Sequence, residues 1–289
     1  MGTDGRMVDT EITPRRRGRP ASASAEGGSE VQSLDRAIAL LRVLAEADGM
    51  SLSDIARTAE LPASTVHRLL ATLQKRQLVN HDAENGLWTV GLGLFRIGAA
   101  YLRIRKLPDI GRPVIRRLLH ETDETVNLAM FDGNELVVVG QAEGHSSVRA
   151  FFRLGLRLPL HASASGKCVL AAASPAFRGG LLAQIRYEAF ATRTHRTERG
   201  LMDDVSAIIE RGYAVDDEEH TTGMRAVAAA IFNEWREPIG AVSVSGPAVR
   251  LSDDRLERLG RRVVAAADQM TRLYSGADET LPPEFASYR

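Results

Sequence analysis

The sequence predicts an α+β protein that begins with a winged helix-turn-helix, and three observations predict it. Residues 31–76 hold three segments with apolar side chains at helical spacing, punctuated by Ser, Gly and Pro. Asn85-Gly86, a strong turn signal, then sits between two short β-prone runs, as the wing of such a domain requires. From near Leu107, strand-like and helix-like segments alternate over about 170 residues, close to the usual domain size.

Taken in order, residues 1–30 are rich in Gly, Ser, Ala, Pro and charge and nearly free of bulky apolar residues, so disorder is expected there. "VQSLDRAIALLRVLAEA" spaces Leu34, Ile38, Leu41, Leu44 and Ala45 as a helix, with Ser33 as the expected N-cap and Gly49 as the stop. "SLSDIARTAEL" is a short second helix that Ser51 or Ser53 can cap. Pro62 suits a sharp stop or the start of the next helix. "ASTVHRLLATLQKRQ" is that third helix, with Val66, Leu69, Leu70 and Leu73 inward. "LVNHDAENGLWTVG" is the hairpin, which closes a domain over 31–92.

Residues 93–106, "GLFRIGAAYLRIRK", form a helix with a basic end, expected as the linker to a mixed α+β domain over 107–275. In that domain "VNLAMFDGNELVVVGQAE" is strand, Gly-Asn turn, strand, and "SASGKCVLAAA" opens a helix. "LMDDVSAIIERG" is a helix, "YAVDDEEH" a strand and loop, and "AVAAAIFNEWREPIGAVSVSGP" two strands around a turn. "DDRLERLGRRVVAAADQMTRLY" is a long closing helix, and 276–289 are a tail. The sequence has no internal repeat.

Composition narrows the function. Lys and Arg balance Asp and Glu at 37 each, so the whole molecule is no electrostatic magnet. Charge is uneven at the N-terminus, in "PRRRGRP". One cysteine, Cys168, excludes an intramolecular disulfide and suits a reducing cytoplasm. No apolar run approaches the roughly 20 residues of a membrane span. The first residues lack the apolar stretch of a signal peptide. A cytoplasmic protein with no membrane contact is expected.

Two constellations carry chemistry. In a helix-turn-helix the second helix enters the major groove, and its first residues meet phosphates and base edges. Here those residues are Ser64, Thr65, His67 and Arg68. The hydroxyls can donate to phosphate, Arg68 can grip guanine with two hydrogen bonds, and His67 can reach either. The plainer alternative is that Ser64 caps its helix and Arg68 is solvated. Arg17 and Arg19, around Gly18 and before Pro20, have the pattern of a minor-groove arm, against the alternative of a generic basic tail. The partner expected of both is double-stranded DNA.

The second constellation is a small-acid pocket. In "PLHASASGKCVLA" small residues precede a helix, so amides near Ala164, Ser165 and Gly166 can face an anion. It is no Walker A loop: His161 stands where Gly is required and Cys168 where Ser or Thr is. In "AVSVSGP", Ser243 and Ser245 fall on one strand face, toward a ligand or toward solvent. The run Asp216 to His220 is either a solvated loop, a ligand contact, or, through His220, a carboxylate and His161, a metal site. Metal-ligand spacing such as HExxH is missing, as is a GxSxG nucleophile elbow. Cys168, inside an apolar helix, reads as packing. No metal, no cofactor and no catalytic residue are therefore expected.

Five blocks resemble the isocitrate lyase regulator (IclR) family of bacterial transcription factors: "VQSLDRAIALLRVLAE", "LPASTVHRLLATL", "PLHASASGKCVLA", "GYAVDDEEHTTGMRAVAAAIF" and "EPIGAVSVSGP". The similarity covers about Val31 to Tyr274. It implies a winged helix-turn-helix, a linker helix and a GAF-like effector domain, in a dimer or tetramer whose N-terminal helix joins the dimer contact. It also implies a DNA-binding regulator, not an enzyme, answering to a small carboxylic acid. Carried onto this sequence, the acid meets the amides of Ala164 and Ser165, Asp216, Ser243 and Ser245, with Leu158 and Met224 as apolar lining. A cysteine common in these members falls at Ala226, so one contact departs. The resemblance is closest to glyoxylate and 2-oxo-acid responders; aromatic and sugar acids are the next candidates. Two rivals are a small-acid enzyme fused to a DNA-binding module and an architectural DNA binder working through the Arg arm.

Overall fold

The computed structural model describes residues 31–104, 106–144 and 153–276. The expected arm, with Arg17 and Arg19, and the tail beyond Gly276 lie outside them. The chain divides into two compact units between Gly98 and Ala99.

In the first unit, α1 (Gln32–Ala45), α2 (Leu52–Thr58) and α3 (Ala63–Lys75) precede a hairpin of β2 (Val79–Asp82) and β3 (Leu87–Val90). Leu40, Leu44, Ile55, Val66, Leu70, Leu73, Val79 and Trp88 form its core. Ser33 is not the N-cap of α1. Val31 holds that position without a side-chain bond, so the helix starts two residues earlier than the capping pattern implies. The helix ends at Ala45, and Gly49, at φ +144°, turns the chain into a short strand β1 (Met50–Ser51) that pairs with β3. Ser51 caps α2 by accepting from the Asp54 amide. Between α2 and α3, Glu60 takes a left-handed φ of +52° while the Leu61 amide returns to the Ala56 carbonyl. This wrapped C-terminus makes the tight turn of the motif. In the wing the Asp82 carboxylate accepts from the Glu84 and Asn85 amides and the Asn85 side chain, and these bonds hold its pKa below the usual carboxylate value.

Helix α4 (Leu92–Ile104) spans the division between the units, and a second helix, α5 (Lys106–Thr122), follows it. Pro108 and Pro113 hide α5 in the sequence. Pro108 lies in the first turn, where no intrahelical amide is needed, and Pro113 is tolerated further in because Val114, Ile115 and Leu118 bury the helix against the sheet.

The second unit is built on one antiparallel sheet in the order β6-β5-β4-β9-β8-β7. Its strands are β4 (Thr125–Asp132), β5 (Glu135–Ala142), β6 (Arg157–Pro159), β7 (Ala214–Asp217), β8 (Met224–Phe232) and β9 (Pro238–Pro247). Helix α5 and α9 (Asp253–Ser275) cover one face, packing on Val126, Leu128, Val227, Val242 and Val244. Helices α6 (Ala164–Ala172) and α8 (Glu198–Arg211) cover the other. With both faces covered, β4 and β9 are buried almost end to end, so their sequences read as near-continuous small and apolar runs. A short α7 (Pro175–Leu182) places Arg178, which donates to the carbonyls of Leu170, Ala171 and Ala173 and so caps the C-terminus of α6. Sequence reasoning missed α7, β6 and β1: all are short, and none carries a full period.

Candidate functional site

In the first unit, Val66, Leu70 and Leu73 turn inward and leave Ser64, His67, Arg68, Thr72 and Lys75 exposed along the opposite side of α3. Thr65 is half-buried. Pro62 holds the N-cap position with no side-chain bond, so the Ser64 hydroxyl is not used as a cap. Among the described residues, His67 and Arg68 have no side-chain partner. The start of α3 thus offers the exposed Ser64 hydroxyl, an imidazole and a guanidinium beside unsatisfied helix amides, with the Thr65 hydroxyl partly covered.

In the second unit the sheet face beneath α6 carries a polar cavity bordered by Asn127, Leu158, Ser163, Ala164, Ser165, Asp216, His220, Ala226, Ser243 and Ser245. The register explains the meeting. Ser243 lies opposite Asn127 and Ala228, Ser245 opposite Thr125 and Ala226, and Asp216 opposite Ala226. The alternating partners Val242 and Val244 go to the other face. Above, Ser163 caps α6: its hydroxyl accepts from the Gly166 amide at 3.0 Å and donates to the Pro159 carbonyl at 2.8 Å. The next two amides, of Ala164 and Ser165, begin the helix and no turn of it can satisfy them. Gly166 is required here, because a Cβ would run into the Pro159 carbonyl and the Leu160 backbone.

Free space in the cavity is about 20 Å³ for the centre of a water molecule, room for roughly one water. Asp216 is 8% exposed. Its Oδ1 accepts from the amides of Glu219 (2.8 Å) and His220 (3.3 Å). Burial, then the Glu219 charge, nevertheless push its carboxyl up to about 7. His220 is pushed down, by burial and by His161. Six carried-over positions meet at this cavity: Leu158, Ala164, Ser165, Asp216, Ser243 and Ser245. Met224 does not. It sits at the first residue of β8, opposite Pro247, two residues short of the cavity wall at Ala226.

Two features escaped sequence reasoning. Asn127 borders the cavity, and its only signal is one amide side chain in the apolar run "TVNLAM". Lys167 is fully buried, with Nζ 2.6 Å from both Asp204 and Glu219. His195 and Arg211 complete this cluster, which ties α6, α8 and the loop after β7 together. Burial raises the Asp204 pKa, but the His195 and Lys167 contacts override it and hold the group well below the usual range. The metal alternative built on His161 and His220 finds no converging trio. His161 Nε2 meets the Glu188 carbonyl, and the His220 ring lies against Phe190. Among the described residues the metal-type ligands that do converge are His195, Asp204 and Glu219. There the Lys167 ammonium already occupies the place a cation would take. Cys168 is buried and its thiol is pushed up by desolvation, a packing residue. No helix among the described residues is long and apolar enough to cross a membrane.

Residues 33–83 match the IclR helix-turn-helix domain, and residues 99–272 match the bacterial transcriptional regulator IclR C-terminal domain. The chain is 40% identical over 257 residues to the HTH-type transcriptional regulator BhcR of Paracoccus denitrificans, covering 89% of this chain and 92% of that one. It is 40% identical over 267 residues to the transcriptional repressor IclR of Escherichia coli, covering 91% and 97%. The crystal structure of the Thermotoga maritima IclR superposes with a TM-score of 0.70 at 26% identity, over 85% of this chain and 99% of that one. These relatives are regulators rather than enzymes. The winged helix, the mixed effector-binding domain and both family matches agree: the chain belongs to the IclR family of ligand-responsive bacterial transcriptional regulators.

Proposed function

We propose that the protein senses a small carboxylic acid, best a 2-oxo acid such as glyoxylate, and controls a carbon-metabolism operon through operator DNA. The observation that carries this reading is the cavity between the start of α6 and the β8–β9 face. The amides of Ala164 and Ser165, which the helix itself leaves unsatisfied, can bind an anion there, with Ser243, Ser245 and Asp216 as polar walls and Leu158 as the apolar one. A cavity with room for roughly one water favours the smallest acids, because every further carbon must displace packed side chains. An aromatic or sugar acid would displace far more. Asp216, held partly protonated by its burial, suits an acidic guest that a fixed charge would repel.

On the DNA side, Ser64, Thr65, His67 and Arg68 read the major groove and Arg17 and Arg19 the adjacent minor groove. Residues 31–92 are the reading head, 93–106 the linker and 107–275 the sensor of a cytoplasmic homodimer or tetramer. The exposed Leu34 and Ile38 of α1 suit the subunit contact. Mobility-shift titration of an operator fragment with glyoxylate, pyruvate and longer acids tests the sensor. An operator affinity untouched by every acid would refute it. In the same assay Arg68→Ala should weaken specific binding more than non-specific binding; equal losses would make Arg68 a phosphate contact.

A further inference from the structure

The cavity-facing side of β4 carries a hydrogen-bonded row that the acid reading does not use. Asn127 lies between Gln141 on β5 and Ser243 on β9 in the sheet register. Gln141 Nε2 donates to Asn127 Oδ1 at 3.1 Å. Asn127 Nδ2 donates to Ser245 Oγ at 3.3 Å, and that hydroxyl donates in turn to the Thr125 carbonyl at 3.5 Å. In this arrangement the Asn127 amide turns its oxygen toward β5 and its nitrogen toward β9. An amide nitrogen has two hydrogens. One goes to Ser245, and the other has no partner among the described residues, although Asn127 is only 2% exposed and borders the cavity. The two serines consequently differ. Ser245 is committed within the row, whereas the Ser243 hydroxyl makes no hydrogen bond among the described residues and opens to the cavity.

We propose that Asn127 is a specificity-determining residue of this pocket, its spare Nδ2–H reading an acceptor oxygen on the carbon next to the ligand carboxylate, and that Gln141 is the positioning residue that keeps nitrogen rather than oxygen on the cavity side. The inference rests on the small-acid reading of the site. It follows from the short cavity: with the carboxylate at the α6 amides, the sheet wall meets the adjacent carbon. The donors there are Asn127 and Ser243, and Asp216 is the one carboxyl at the wall. A guest with an oxygen at that carbon satisfies the spare donor, whereas a guest with a methylene leaves it buried and unpaired.

Calorimetric titration of the full-length protein with pyruvate and with propionate, which share a three-carbon frame, tests this. Wild-type protein should prefer pyruvate. Asn127→Ala should lower pyruvate affinity about 10-fold and change propionate affinity by less than about 2-fold. Gln141→Met, which leaves the Asn127 amide in place but free to turn over, should remove about 3-fold of the preference. It also decides the matter if Asn127→Ala does not fold, as thermal melting would reveal. Equal losses for both acids would make Asn127 merely structural and overturn the proposal, as would an unchanged preference in both variants. Wild-type protein that binds both acids without preference overturns the proposal alone. Wild-type protein that binds neither overturns the small-acid reading and this inference with it.

Discussion

Two buried charged side chains near the cavity show how placement sets behaviour. Asp216 holds its proton to about pH 7 in the folded chain, against an ordinary carboxylate value of about 3.9 when unfolded. Between those values the folded state binds the extra proton, so this group's contribution to stability falls as pH rises from about 4 to 7 and then levels off. Asp216→Asn removes that dependence. In urea melts, the stability of the variant relative to wild type should improve between pH 5 and pH 7.5; a constant difference would refute the burial account. Lys167 is the opposite case, a buried cation with both its carboxylate partners in place. Lys167→Met leaves Asp204 and Glu219 with His195, Arg211 and the Asp217 amide but no buried cation, and should cost about 3 kcal/mol in denaturant unfolding. Neither behaviour is legible from residue type. "YAVDDEEH" reads equally well as a solvated loop, and a lysine in "SGKCVLAAA" passes for a surface residue until tertiary packing encloses it.

Helices and strands with a full hydrophobic period were legible, and those that lean on tertiary contacts were not. The segments α3, α8 and α9 carry their periodicity and stops in the sequence, including Gly212 in the left-handed conformation after α8. By contrast α5 contains two prolines, and α7 and β6 are too short to show a pattern. The alternation in "AVSVSGP" placed Ser243 and Ser245 on one face, yet it could not say that Asn127, over a hundred residues earlier, would stand beside them. Met224 fell outside the cavity for a related reason: the wall begins where Asp216 and Ser245 flank β8, at Ala226. The turn of the helix-turn-helix supplies its own test. Glu60 takes a left-handed φ that suits glycine, so Glu60→Gly should relieve its Cβ and raise stability by about 0.5 kcal/mol, read as a small rise in melting temperature. A drop would show that the Glu60 side chain contributes more than its backbone conformation costs.

For the molecule as a whole, sensing an acid requires the two units to be thermodynamically linked. If acid binding changes operator affinity by the roughly 5–150-fold typical of such coupling, operator DNA must change acid affinity by the same factor. Calorimetry with and without a saturating operator duplex checks this, and unequal factors would mean the two events are not linked through a common pair of states. Operator affinity should also fall steeply with added salt, through the cations displaced from phosphates. One small feature of α6 has a separate consequence. The chain's only sulfhydryl is Cys168, sealed within the apolar packing beneath the cavity and held in its unreactive neutral form. Thiol-directed reagents therefore have no exposed cysteine to attack in the folded chain. A maleimide added to the native protein would couple only as fast as the sensor unit opens, which turns that solitary sulfur into a clock for its unfolding.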